Sequence, residues 1–302
     1  MRGRREKPFS LLNMESQEKS IPEKRQWRLT WARLMRNRMS MIGLGIVVLF
    51  FLTALGAPYL VPHDPLKQNL NLVGAGPSKD HWLGCDQVGR DVLSRLLWGT
   101  ALTLKIGVFS VLIGLGIGTI IGAVGGYYGG KIDSVVVFVT DVLFSFPGLL
   151  LAIAIVAAIG VGLTAVIIAA GASSIPQFIR ITRSSFVSEK ARDYVTAARA
   201  VGESNRSIIL RYILPNCFPT IVVLLTIRVA AIILIASGLS FLGLGVQPPT
   251  PEWGAMLAEG RGYLQKAPHV ALFPGFAIMV VTLGFNLLGD GLRDALDPRM
   301  KI

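Results

Sequence analysis

Long uncharged, apolar stretches alternate with short basic ones along this chain. Met41 to Val61 runs for 21 residues without a charge, and Ile106 to Gly130 for 25. Val142 to Ile179 is uncharged for 38 residues, about 57 Å as one helix at ~1.5 Å per residue. A bilayer crossing takes roughly 20 apolar residues, so this stretch predicts two crossings that turn near Gly160-Val161-Gly162. The first of the pair is expected to begin near Asp133. Residues 217–243 give a fifth span, interrupted by Arg228, and Ala267 to Gly289 gives a sixth. The pattern predicts an all-α membrane protein with six transmembrane helices. Their spans fall at about 41–61, 104–126, 134–160, 163–182, 217–243 and 267–289, within a transmembrane domain over 39–302.

Composition agrees and excludes other classes. Of 302 residues, 52% are hydrophobic and only 16% charged, with a mean hydropathy of +0.57. A soluble domain carries about 25% charged residues, so the surplus apolar surface must meet lipid. Disorder is excluded because so much apolar surface is available for burial. The formal net charge of +12 is then a statement about topology, because cytoplasmic loops collect Lys and Arg. With the N-terminus inside, 22 of the 30 basic residues fall on one side and six on the other, leaving Lys105 and Arg228 in or near the spans. Both termini are expected in the cytoplasm of a bacterial or archaeal cell, with the chain in its cytoplasmic (inner) membrane.

Segment 1–38 reads as a cytoplasmic basic tail. Within it Trp27, Trp31, Leu34 and Met35 share a helical face, with arginines mostly elsewhere, the pattern of an amphipathic helix lying along the interface. Because the tail abuts a membrane span that accounts for its sign, no nucleic-acid partner is expected. The first apolar segment follows 40 residues of tail and lacks a small-x-small site at its end, unlike a cleaved signal. Cys85 falls outside and Cys217 at the cytoplasmic end of the fifth span, too far apart for a disulfide.

Gly125 to Lys131 spells the start of a phosphate-binding loop, but Ile132 replaces the Ser/Thr that would hold Mg²⁺, and an apolar helix precedes it in place of a strand. No catalytic motif is present, so the chain is expected to be a non-catalytic subunit that binds no ATP and no metal itself. Gly114, Gly118, Gly122, Gly126 and Gly130 recur at every fourth position, a ridge that lets another helix approach closely within lipid. His63, His81 and His269 lie on the external side, with His81 four residues before Cys85; two candidate ligands in a loop are a weak metal signal, and the histidines read as ordinary loop residues. Arg228 is the ionisable residue that needs an explanation. An unpaired charge inside a span costs at least ~2.5–3.5 kcal/mol, so it is expected either to anchor an anionic group on a substrate pathway or to pair with a carboxylate.

The most informative polar segment is the loop 183–216. Glu189–Ala200 is a good helix former, Gly202 permits a sharp turn, and Ser204-Asn205 are positioned to cap a second helix that Pro215 ends or kinks. The spacing Thr196-Ala197-Ala198, Gly202, Tyr212, Leu214, Pro215 resembles the loop E-A-A-x3-G-x9-I-x-L-P of ABC importer permeases, with Thr196 and Tyr212 as departures. His81 to Arg95 is similar to the H-x-L-G-T-D-x-x-G-R-D-x-x-S-R segment of the peptide/nickel group, with Cys85 for its Thr. Leu239–Trp253 and Asn286–Arg299 also resemble that group, and in particular the C-type permease of dipeptide and oligopeptide importers.

The resemblance implies the type I ABC importer permease fold and a homologous second permease as heterodimer partner. It implies two cytoplasmic ATPase subunits that carry ATP and Mg, and an extracytoplasmic substrate-binding protein. It places the ATPase-coupling helix on Thr196, Ala197, Ala198, Gly202 and Ser204, followed by Leu214 and Pro215. Short peptides, translocated by alternating access, are the expected substrate, with glutathione or nickel as alternatives in the same fold. The external segment 62–99 is polar enough to receive a partner. The rival of another class is a carrier or channel energised by an ion gradient.

Overall fold

The computed structural model describes residues 32–296. Helical residues 32–36 lead to Asn37, whose side chain accepts from the backbone N–H of Met39 (3.0 Å) and starts α1, Arg38–Leu60. Trp27 and Trp31 of the expected interfacial helix lie outside the described residues; Leu34 is buried and Met35 exposed. The remaining helices are α2 (Val92–Tyr128), α3 (Gly130–Phe144), α4 (Gly148–Ile159), α5 (Leu163–Lys190), α6 (Asp193–Ala200), α7 (Leu214–Phe241), α8 (Trp253–Gly260) and α9 (His269–Leu296). Among the described residues there is no β-strand, only an isolated bridge between Cys85 and Asp91.

Among the described residues, five helical runs are long and apolar enough to cross a membrane: α1, α2, α5, α9 and Asn205–Phe241, which contains α7. The bent pair α3 and α4 makes a sixth if it counts as one span. The expected single helix over 134–160 is therefore broken. It bends by 89° at Ser145-Phe146-Pro147, where Pro147 has no N–H to continue the ladder. The turn expected at Gly160-Val161-Gly162 is present, and its glycines adopt φ +107° and +146°, open to residues without a Cβ.

Packing between α2 and α5 organises the bundle. A Cβ added at Gly118, Gly122 or Gly126 would lie 2.5, 2.6 and 2.7 Å from Phe178, Ile179 and Arg183 of α5, and one at Gly114 would collide with Ser174. A Cβ does not tolerate such separations, so the glycines are what allow the two backbones to meet. Gly130, the fifth of the series, lies past the end of α2 and opens α3 at φ +56°, with open space around it; the ridge stops at Gly126. A similar contact joins α1 to α9, with Gly43 against Leu288 and Gly284 against Ile46. The larger apolar core runs through Val111, Phe178, Phe186, Ile232, Trp253 and Val281, and a smaller one joins Ile106, Val156, Val166 and Leu239.

At one end of the bundle, residues 62–91 fold into a cap. Asp91 accepts from the backbone N–H of Ser94 (2.7 Å) and starts α2. Asp86 accepts from the N–H groups of Val88 and Arg90 (both 2.9 Å) and pairs with the Arg90 and Arg95 side chains, which also reach Glu259 of α8 at 2.8 and 3.1 Å. Asp86, Arg90, Asp91 and Arg95 are all buried. The charges of this segment thus hold the cap to the bundle, and its exposed surface is left to residues such as Leu70, Lys79 and Trp82. Cys85 and Cys217 are both buried and unbridged; burial and the nearby Asp91 and Asp86 push the Cys85 thiol up to about 11.

Gly118→Leu is expected to prevent recovery of folded protein from detergent extracts. Gly116→Leu, on a face with nothing within 4 Å, should leave yield and monodispersity unchanged, and size-exclusion chromatography distinguishes the two.

Candidate functional site

At the end of the bundle opposite the cap, the chain between α5 and α7 forms a compact polar structure. The helix expected over Glu189–Ala200 is interrupted. α5 ends at Lys190, and α6 restarts at Asp193 after Arg192 in an extended conformation (ψ 148°). α6 then closes with a glycine turn. The Gly202 N–H donates to Arg199 O (3.0 Å) and the Glu203 N–H to Ala198 O (3.1 Å), with Gly202 at φ +85°. This is the Schellman pattern, which satisfies carbonyls that a helix end otherwise leaves open.

Ser204 caps the next turn by accepting from the Ser207 N–H (3.3 Å). Pro215 does not end the following helix. A π-helical turn over Ile208–Ile213 shifts the hydrogen bonds by one residue just before the proline, whose ring nitrogen donates nothing, and the helix continues to Phe241.

The residues expected to couple divide between two faces. Thr196, Ala197, Gly202 and Ser204 are exposed, as is Pro215 at the start of α7. Ala198 is buried with Val195 in the core, and Leu214 packs against the same core. The spacing alone did not single out Val201, the most exposed large apolar side chain of the turn at 80%, or Arg199 beside it. An unpaired apolar residue directly before the turn glycine was the available signal. A shallow groove of about 400 Å³ beside the turn is lined by Glu203, Ser204, Arg206, Ser207, Leu210 and Arg211.

Under this exposed face, hydrogen bonds tie the loop to the ends of the long helices. Tyr127 at the end of α2 donates to Asn205 Oδ1 (2.6 Å). Lys190 donates to the Tyr127 carbonyl oxygen. The ring of Tyr127 also lies 5.7 Å from both the Lys190 ammonium and the Arg199 guanidinium. The Tyr194 hydroxyl donates to Glu189 Oε2 (2.6 Å), and Asn216 donates to the Tyr194 oxygen (3.2 Å) and to the Tyr212 carbonyl (2.6 Å). Burial and the Glu189 carboxylate push the Tyr194 phenol well above its ordinary range, so it remains a neutral donor. Arg183 of α5 forms a two-pronged pair with Asp133 of α3. The arrangement contains no assembled nucleophile, base or metal set. It is an exposed turn held to α2 through Tyr127 and to α5 through Tyr194, with α5 in turn paired to α3.

Arg228 sits on α7, far from this loop. Its Nε is buried with no hydrogen-bond partner, and no carboxylate among the described residues lies within ion-pair distance.

Comparison with known proteins places this geometry in context. A family described as "Binding-protein-dependent transport system inner membrane component" matches residues 114–302, and the "N-terminal TM domain of oligopeptide transport permease C" matches residues 25–77. The chain is 47% identical over 276 residues to the glutathione transport system permease protein GsiD of Pectobacterium atrosepticum, covering 91% of this chain and 92% of that one. It is 48% identical over 279 residues to the protein of the same name from Escherichia coli O6:K15:H31, covering 91% of each. Among solved structures, the inward-facing MetNI methionine ABC transporter aligns with a TM-score of 0.56 at 19% identity, covering 67% of this chain and 97% of that chain. That last likeness concerns the fold.

A side chain at Gly202 has space, with nothing within 4 Å, but the left-handed backbone costs an L-residue about 1–2 kcal/mol. Gly202→Val is therefore expected to raise amide hydrogen exchange over residues 198–207 about tenfold, whereas Gly202→Asn, which tolerates that conformation, should raise it less than threefold.

Proposed function

This chain belongs to the family of binding-protein-dependent transport system inner membrane components, in the peptide/nickel group of ABC importer permeases, and we propose that it forms one half of a heterodimeric permease importing short peptides, glutathione among them. It is a multi-pass inner-membrane component without a catalytic role. Energy comes from two ATPase subunits carrying ATP and Mg, and an extracytoplasmic binding protein delivers the substrate. The loop end of the bundle, with its basic residues, faces the cytoplasm together with both termini. The cap end faces the binding protein.

The observation that carries this reading is the exposed α6–Gly202 turn, tied by Tyr127 to α2 and by Tyr194 to Glu189 of α5, which Lys190 and Arg183 join to α2 and α3. An ATPase that seats this turn in a cleft moves α2, α3 and α5 with it. Closure of the two ATPases therefore rocks the bundle between outward- and inward-facing states, a rigid-body switch around a central pathway. The names and the 47–48% identity of the relatives support glutathione within the peptide class. Glutathione is a tripeptide with two carboxylates, and Arg228 is a partnerless guanidinium in a span. Charge-assisted hydrogen bonds to a carboxylate would satisfy it, so Arg228 is assigned to the substrate pathway.

Reconstituted with its co-encoded subunits, the chain should take up radiolabelled glutathione only with both ATP and binding protein; uptake by this chain alone on an ion gradient would contradict the reading. In the same assay Arg228→Gln should lower uptake at least tenfold with the complex assembled, while Arg228→Lys retains much of it. Loss of assembly in both variants would make Arg228 a structural residue.

A further inference from the structure

The cap holds a cluster of side chains for which transport gives no role. His63 lies just past the end of α1, His81 within the cap, and Asp91 immediately before α2. The fold brings all three together. His81 Nδ1 lies 2.8 Å from one Asp91 oxygen and His63 Nδ1 3.9 Å from the other, and the two imidazole rings stack with centroids 4.6 Å apart. One ligand atom from each of the three lies within 4.8 Å of the other two. No other His, Cys, Asp or Glu side chains among the described residues gather three ligand atoms so closely. Spacing along the chain pairs His81 with Cys85, but Cys85 is fully buried and outside the group. His63, from the end of α1, takes that place.

Each of the three backbones is fixed by bonds of its own. Ser94 serves two of them: its N–H donates to Asp91 Oδ2 (2.7 Å), and its hydroxyl oxygen accepts from the His63 N–H (3.1 Å). Ser78 holds the third, accepting from the His81 N–H at its hydroxyl oxygen (3.0 Å) and donating its own N–H to the His81 carbonyl (2.8 Å). None of these bonds uses an imidazole, so the rings orient by what they face. Both present Nδ1 to the same buried carboxylate. Stacking alone sets no such edge, and a hydrogen bond from His81 to Asp91 needs no second imidazole.

Two imidazole nitrogens and a carboxylate oxygen suit a borderline divalent cation such as Zn²⁺, whereas Mg²⁺ and Ca²⁺ call for oxygen ligands. In a tetrahedron with bonds of ~2.05 Å, ligand atoms stand about 3.3 Å apart. Opening the His81–Asp91 contact by about 0.5 Å and turning the His63 ring inward by about 1 Å reaches that spacing. His63 has the room, with 42% of its side chain exposed against 18% for His81 and 2% for Asp91. The carboxylate only accepts, so His81 Nδ1 donates to it. A cation takes the place of that hydrogen while the ring keeps its proton on Nε2. The Ser94 N–H on its other oxygen orients Asp91, as outer partners orient ligating carboxylates. Three protein ligands leave a fourth position for water.

We propose that His63, His81 and Asp91 bind one divalent transition metal of the zinc class, and that the ion staples the end of α1 to the start of α2 through the cap. A metal that binds only the folded cap stabilises it by mass action, and it does so whatever solute the permease carries.

The test uses the full complex with its co-encoded subunits in detergent, stripped with a chelator and titrated with Zn²⁺ while amide hydrogen exchange is followed in this chain. Zn²⁺ at about ten times its dissociation constant should slow exchange over residues 61–94 about tenfold, and Mg²⁺ at the same concentration should not. His63→Ala removes one ligand without touching the His81–Asp91 hydrogen bond or the start of α2. It should assemble, bind one Zn²⁺ fewer by calorimetry and lose the zinc-dependent protection, and His81→Gln should do the same. Zinc stoichiometry and protection unchanged in either assembled variant would overturn the proposal, as would protection by Mg²⁺ as strong as that by Zn²⁺. If neither variant assembles, the unsubstituted complex decides alone: zinc-dependent protection over 61–94 sustains the site, and unchanged exchange there removes it.

Discussion

The close approach of α2 and α5 is the constraint on which the rest of this structure depends. Four glycines, at 114, 118, 122 and 126, remove the side chains that would keep the two backbones apart. Within lipid there is little hydrophobic drive to bring helices together, so close backbone packing has to supply the association. α2 is also the longest single element, at 37 residues. Its first turn is fixed by the cap through Asp91, and its last residues, Tyr127 and Tyr128, sit at the loop. The packed α2–α5 unit therefore connects the cap with the loop between α5 and α7.

Charge is placed according to two different needs. At the cap, Asp86, Arg90, Arg95 and Glu259 form a network that is largely buried, held at two or more points each. Breaking such a network by removing one member strands a buried charge, which is costly, so it serves as a clasp. At the loop the hydrogen bonds run to the Tyr127 and Tyr212 carbonyls, the Asn205 amide oxygen and the Glu189 carboxylate. Glu252 shows the same economy at α8. Burial raises its pKa, while it accepts from the backbone N–H groups of Gly254 and Ala255 (both 2.9 Å). At the cap Asp86, Arg90, Asp91 and Arg95 thus turn inward, while Asp64, Lys67, Lys79 and Asp80 stay exposed.

Much of this was legible in the sequence, for identifiable reasons. Uncharged runs of bilayer length located the long helices, and the paired glycines at 160 and 162 located the turn between α4 and α5, because only glycine takes those backbone angles readily. What escaped depended on tertiary context. Pro147 reads the same whether it kinks a helix gently or ends it, and only the folded chain gives the right-angle bend. The break at Ala191-Arg192 carries no turn residue at all. Pro215 is accommodated by a π turn that no pattern announces. Within the polar external segment 62–99, sequence cannot tell that Asp86, Arg90 and Arg95 join Glu259 in a buried, mutually satisfied ion network while residues such as Lys67 and Lys79 stay exposed. In the loop, the spacing found the turn glycine and its cap, yet it could not separate the outward Thr196 and Ala197 from the inward Ala198 and Leu214.

The account's central claim is that the α6–Gly202 turn is the point where an ATPase moves this bundle. Val201 stands fully outward there, while both native cysteines are buried, so a cysteine placed at 201 reports on that surface alone. Cross-linking Val201→Cys in the assembled complex to cysteines introduced across the ATPase surface is the most direct measurement. The account predicts a reducible cross-link to an ATPase subunit that arrests ATP-driven uptake and releases it on reduction. Cross-linking to the binding protein, or labelling of Cys at 201 by an impermeant thiol reagent added from outside the cell, would contradict it.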